Sequence, residues 1–228
     1  MNEEKESRMR RITMAAGVAL IGTALLAACS SGPTTAATNP STPSPTATDS
    51  GSGSPATSPT EGPVSSEPAV PVESNPPGDI PDNTAFVPYH SAKGGWTVTV
   101  PEGWSRTTTG TKVTFTDKLN TVQVDAQPGT PVTLTDAKKT DVPALAASTR
   151  AFKLVSVTEV TLPAGPAVLI SYQANSDPNP VTGKQYRLDV LRYELYHSGT
   201  RTTLTLLSPV GADNVDPWKI VTDSLKTA

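Results

Sequence analysis

The sequence predicts an α+β domain: a single antiparallel sheet of about six or seven strands with two or three helices packed on it. Three observations carry this. Short segments of alternating apolar and polar residues, separated by turn formers, recur between Trp96 and Leu207. Two stretches, from Thr135 and from Asp216, carry helical spacing instead. Composition also changes near Phe86, where the first aromatic residue of the chain arrives. The expected organisation is a leader over residues 1–28, a linker over 29–84 and a globular domain over 85–228.

Trp96, Val98 and Val100 alternate with Thr97 and Thr99, the pattern of a half-buried strand. Pro101-Glu102-Gly103-Trp104 turns the chain, because Pro presets φ and Gly admits positive φ. Val113 and Phe115 make a second strand, and Val122, Val124 and Ala126 a third after Asp117-Lys118-Leu119-Asn120. Connections this short join antiparallel neighbours. Residues 155–162 and 167–174 form a strand pair across Pro163-Ala164-Gly165-Pro166. Tyr186 to Tyr196 is a long strand whose apolar phase shifts: Leu188 and Val190 share one face, Leu191, Tyr193 and Leu195 the other. A β-bulge near Val190 or burial on both faces explains such a shift. His197-Ser198-Gly199-Thr200 is a hairpin turn into the strand of Leu204 and Leu206.

Residues 135–150 read as an interrupted helix. Thr135 or Asp136 is the expected cap, and Pro143 breaks the helix unless a second one begins at Asp141. In the closing helix Asp216-Pro217 reads as N-cap and first helical position. Trp218, Val221 and Leu225 then make one apolar stripe.

Upstream, Arg8, Arg10 and Arg11 precede an apolar run from Ile12 to Leu26 that ends in Ala27-Ala28-Cys29. A basic start, a short apolar segment and small residues at the cut make a secretory leader. A spanning helix needs roughly 20 apolar residues, more than this run supplies. Cys29 is the only cysteine of 228 residues, so the expectation is a lipobox, cut between Ala28 and Cys29 with a lipid on the Cys29 thiol. The acidic Glu3, Glu4 and Glu6 are unusual in such a leader, and Met9 offers a cleaner start. The following linker holds about half of the 23 prolines, with Ser, Thr, Ala and Gly making up most of the rest. With almost no large apolar residues it buries too little surface to offset ordering entropy. A flexible chain of about 55 residues spans roughly 40 Å. Ser/Thr with Pro is also the composition of glycosylated stalks.

The segment Phe86-Val87-Pro88-Tyr89, then Gly95-Trp96-Thr97-Val98-Thr99-Val100-Pro101-Glu102-Gly103-Trp104, resembles the actinobacterial LpqN/LpqT-type lipoproteins, which share the PsbP-like fold of the photosystem II extrinsic subunit. The turn at His197 to Thr200 and the helix through Asp223-Ser224-Leu225 fit the same pattern. The resemblance covers residues 84–228 and implies a PsbP-like, non-enzymatic, envelope-associated domain. It carries over no catalytic residues.

Removing residues 1–28, with four basic and three acidic groups, moves the net charge from −3 to −4. That disfavours nucleic acid, which wants a basic surface. Only His90 and His197 are histidines, and no Gly-x-Ser-x-Gly, phosphate loop or calcium loop is present. No catalytic residue, metal ligand or cofactor is therefore expected. The candidate ligand-binding residues are Tyr89, His90 and Trp104, which could edge a groove for sugar, acyl chain or protein. The expectation is a monomeric, non-enzymatic binding or scaffold domain for an envelope protein or glycolipid. It sits on the outer face of the cytoplasmic membrane through the lipid on Cys29. The alternatives are an accessory subunit of a membrane assembly and an enzyme whose site the sequence does not disclose.

Overall fold

The computed structural model describes residues 66–227. Ala28, Cys29 and the expected leader lie outside the described residues, as does the linker up to residue 65.

The described chain is α+β. In order come β1 (Phe86–Ser91), β2 (Trp96–Pro101), β3 (Ser105–Thr109), β4 (Lys112–Asp117) and β5 (Asn120–Pro128). A helical crossover follows: α1 (Leu134–Asp136), a π-helical turn (Ala137–Asp141) and α2 (Val142–Ser148). Then come β6 (Lys153–Leu162), β7 (Gly165–Asn175), β8 (Arg187–His197), β9 (Thr200–Pro209), α3 (Val215–Ser224) and the short β10 (Lys226–Thr227). Seven strands make one antiparallel sheet in the order β3-β4-β5-β9-β8-β7-β6. The crossover carries the chain from β5 to the far edge, and the meander β6 to β9 returns to close against β5.

The large sheet and its packed helices match the sequence expectation, and a second sheet is added to them. The strand of Trp96 pairs with β1 and β10 in a three-stranded sheet of its own, order β1-β2-β10. Beyond β10 the ladder is continued by a side chain: Thr99 N–H donates to Ser224 Oγ at 2.8 Å. Strand β3 has no apolar residue and all five of its residues are exposed, so it shows no alternation to read. Its threonines favour extended backbone, and pairing with β4 does the rest.

Apolar side chains collect on both faces of the large sheet. On one face, Trp96, Val98 and Val100 of β2 and Trp218, Val221 and Leu225 at α3 meet Val122, Val124, Leu204 and Leu206. On the other, Ala137, Val142 and Leu145 of the crossover cover Ile170, Tyr172, Leu188 and Val190. This explains the phase shift in β8. Its register with β7 and β9 runs unbroken from Arg187 to His197, so there is no bulge near Val190 and the strand is buried on both faces. The bulge that does occur is on edge strand β6, between Leu154 and Ser156, where it blunts an open edge.

The caps differ from expectation. Thr133 caps α1, its Oγ1 accepting from Asp136 N–H at 3.1 Å. Pro143 does not end the crossover. Val142 N–H donates five residues back to Ala137 O, so the helix widens just before the residue that lacks an N–H. Asp141 is helical rather than a cap. Helix α3 starts at Val215 after Asn214, which places Pro217 inside the first turn, where its missing N–H costs nothing.

Residues 67–84, assigned to the linker by composition, are laid against the domain. Asn214, 2% exposed, accepts from Ile80 N–H at 2.8 Å and donates to Gly78 O at 2.9 Å. Asn120 donates to the same carbonyl at 2.7 Å. A Cβ on Gly78 would lie 2.7 Å from Pro209 Cδ, so only glycine admits this approach. Side-chain amides thus take up the backbone groups of a proline-rich segment that builds no ladder of its own.

Candidate functional site

A groove of about 590 Å³ lies between α3 and the large sheet. Leu191 and Tyr193 of β8 and Trp218 of α3 make its apolar wall, with Asp189, Ser171 and Lys219 among the polar groups around them. The side chains that β8 turns toward the α3 side make its sheet wall. Helix α3 is ten residues long, and Trp218, Lys219, Thr222 and Asp223 form its side of the space. Asp189 accepts from Gln173 Nε2 at 3.0 Å, and Lys219 is paired with Asp223. Burial pushes the Tyr193 phenol up from its ordinary value, so it stays neutral and able to donate. Val215 at the rim is 74% exposed. An apolar wall bounded by polar and charged side chains, in this volume range, is of a size to take a small molecule.

Of the three residues singled out in the sequence, two come together. Tyr89 and Trp104 line a cleft of about 370 Å³ with Pro88, Gly103 and Arg106. The Arg106 guanidinium sits 5.1 Å from the Tyr89 ring centre, and Tyr89 meets Phe115 edge-on at 5.1 Å. His90 takes no part. Strand alternation turns it to the opposite side of β1, where Nδ1 lies 3.2 Å from Thr97 Oγ1 on an exposed surface. The two cavities share a partition: Trp104, from the cleft, packs edge-on against Trp218, from the groove, with ring centres 6.4 Å apart.

The sequence reading missed the groove. Its only signal was Leu191 and Tyr193 standing in phase with Asp189, on a strand whose other face was equally apolar. Trp218 reads there as core, and at 7% exposure it is both core and groove wall.

On the crossover side, Glu194 is wholly buried and accepts from Arg192 Nε at 2.7 Å and from Arg201. Arg201 also reaches Asp141 at 2.7 Å. Burial alone would lower Arg201, but the hydrogen bonds with Asp141 and Glu194 outweigh it and hold it above its ordinary value. The network ties the π-turn to β9, a structural task. Among the described residues no group of three or more His, Cys, Asp and Glu side chains is placed to hold a metal. Nor is any helix among them long and apolar enough to cross a membrane.

No family model and no curated protein matches the chain. Solved structures do. CyanoP, the cyanobacterial PsbP of Synechocystis sp. PCC 6803, is similar over 68% of this chain and 100% of its own, at 16% identity and TM-score 0.46. LpqN of Mycobacterium tuberculosis, involved in cell envelope biogenesis, is similar over 64% of this chain and 91% of its own, at 13% identity and TM-score 0.38. A protein from Bacteroides thetaiotaomicron is similar over 62% of this chain at 11% identity and TM-score 0.40, and 48% of its length is spanned. The structures similar to this chain thus include a PsbP-type and an LpqN-type protein, at low identity.

Proposed function

We propose that the chain is a lipid-anchored envelope protein whose α+β domain binds a partner rather than transforms it. Cys29 carries the lipid on the outer face of the cytoplasmic membrane, and the residues after it lift the domain away. The ligand is an envelope glycolipid or another amphiphile, or an apolar side chain of an envelope protein. The observation that supports binding is the groove against α3. It joins Leu191, Tyr193 and Trp218 to a rim with Asp189 and Lys219. The Tyr89–Trp104 cleft beyond the Trp104–Trp218 partition is a second contact for the same partner.

The test is native mass spectrometry of the full chain taken from its own envelope. Wild type is expected to carry an amphiphile that Leu191→Glu, still folded, has lost. Identical spectra for the two would remove the groove from the proposal. In the same cells Cys29→Ala should leave the membrane fraction or remain as uncut precursor. Recovery of that variant with membranes at its mature mass would remove the anchor.

A further inference from the structure

The end of the described chain is held by a constellation that neither the α3 groove nor the Tyr89 cleft accounts for. Three side-chain donors from separate elements converge on the Glu67 carboxylate. Arg150, after α2, donates to Oε2 at 2.8 Å. Asn175, the last residue of β7, and Gln185, before β8, donate to Oε1 at 2.9 and 2.6 Å. Asn175 also grips the backbone beside Glu67: Nδ2 donates to Pro68 O at 2.9 Å and Oδ1 accepts from Val70 N–H at 3.1 Å. A single side-chain amide thus brackets an extended peptide at two alternate residues.

The bracket is built from beneath. Arg187, 5% exposed, donates through Nη1 to Asn175 Oδ1 at 3.1 Å and to Ala151 O at 2.8 Å. A cation at that oxygen fixes which way the amide faces. Among the described residues Arg187 makes no ion pair within 4.0 Å, the charge of Asp189 acting on it from further off, and its Nη2 is buried without a hydrogen-bond partner there. The carboxylate nearest through bonds is Glu67, one amide away. Beside the bracket a cavity of about 320 Å³ opens, with Arg150, Asn175 and Asp177 on one side and Tyr172, Leu188 and Leu207 on the other.

We propose that this constellation is a recognition site for an extended peptide bearing an acidic residue, filled here by the chain's own residues 67–70. The three donors read the carboxylate, Asn175 reads the backbone, and the neighbouring cavity takes an apolar side chain next to the acid. Residues 67–70 fill the polar half and leave the apolar half open. The same segment of a second copy therefore competes for the site. Arg187 is a positioning residue.

The experiment uses the full chain in detergent and a fluorescent peptide with the sequence of residues 66–74. Glu67→Ala, which weakens the internal occupant, should bind this peptide about tenfold or more tightly than wild type, because the lost charged hydrogen bonds no longer compete. Adding Asn175→Ala should abolish the gain, and a peptide with Gln in place of its first Glu should bind worse by a similar factor. Equal binding by wild type and Glu67→Ala, or binding that ignores Asn175, overturns the proposal. Should Glu67→Ala not fold, wild type decides: excess peptide must accelerate exchange of the Val70 amide hydrogen, and unchanged exchange overturns the site.

Discussion

At the scale of the residue, two tryptophans in contact have separate tasks. Trp218 is 7% exposed within the α3 stripe, and Trp218→Ala should destabilise by about 3–5 kcal/mol, the range for truncating a large buried aromatic. Trp104 is only half-buried and meets it through one edge, so Trp104→Ala should cost clearly less. Denaturant melts of both variants decide, and equal large losses would make Trp104 plain core. Glu194 is a third case. Its carboxylate is fully buried between Arg192 and Arg201, so Glu194→Ala leaves Arg192 without a carboxylate and Arg201 with Asp141 alone, and should destabilise by less than the roughly 3–5 kcal/mol of a fully buried broken pair. Glu194→Gln, which still accepts hydrogen bonds, should recover some of this loss in the same melts. Residues of this kind were the least legible in the sequence. Glu194, Asn175 and Asn214 look like ordinary polar positions, and what makes them matter arrives from chain segments more than a hundred residues away for the two asparagines.

At the scale of the element, legibility followed the number of faces buried. Strands β4 and β5 hide one face each and were read from alternation alone. Strand β8 hides both, so its pattern left two accounts open until the unbroken register chose between them. The crossover helix was legible in extent but not in its handling of Pro143, because a π-turn has no sequence period to announce it. The stretch 67–84 was misread for a physical reason: composition reports whether a segment can bury apolar surface, and this one docks through backbone hydrogen bonds to Asn120, Asn175 and Asn214. Its attachment should depend on pH. Burial works against ionisation of Glu67, yet the hydrogen bonds from Asn175, Arg150 and Gln185 outweigh it and hold the carboxyl below its ordinary value. A depressed carboxyl contributes stability that is complete above its unfolded value and is lost as pH falls through the lower folded one. Asp177 opposes Glu67 for Arg150 at 3.1 Å. Hydrogen-exchange protection of residues 67–73, taken against the intrinsic rate at each pH, should therefore fall on acidification below the usual glutamate range, ahead of β8 and β9. Simultaneous loss of protection in all three would show that Glu67 holds nothing on its own.

At the scale of the whole molecule, the sheet and its two cores were foreseeable because their apolar side chains stand at regular spacing. The groove was not, since it is a space left between α3 and the sheet, and no residue pattern records an absence. Protease susceptibility offers a test at this scale. Composition alone would spread cleavage up to Thr84, whereas docking of 67–84 should keep early cuts out of that segment in limited proteolysis. Fragments beginning between residues 71 and 84 would contradict the docking.

Among the described residues a carboxylate clamp at Glu67 precedes β1 in the chain, so a pull from the N-terminal side reaches that clamp before the β1–β2 ladder. Glu67 with Arg150, Asn175 and Gln185, and then Glu73 with Lys184, lie ahead of the β1–β2 ladder in the line of force. Side-chain contacts loaded one after another should give way before strands loaded in shear. Fully extended, residues 67–84, about 18 in all, reach at most roughly 60 Å. Under such a pull residues 67–84 should come away first, while the two cores stay shut.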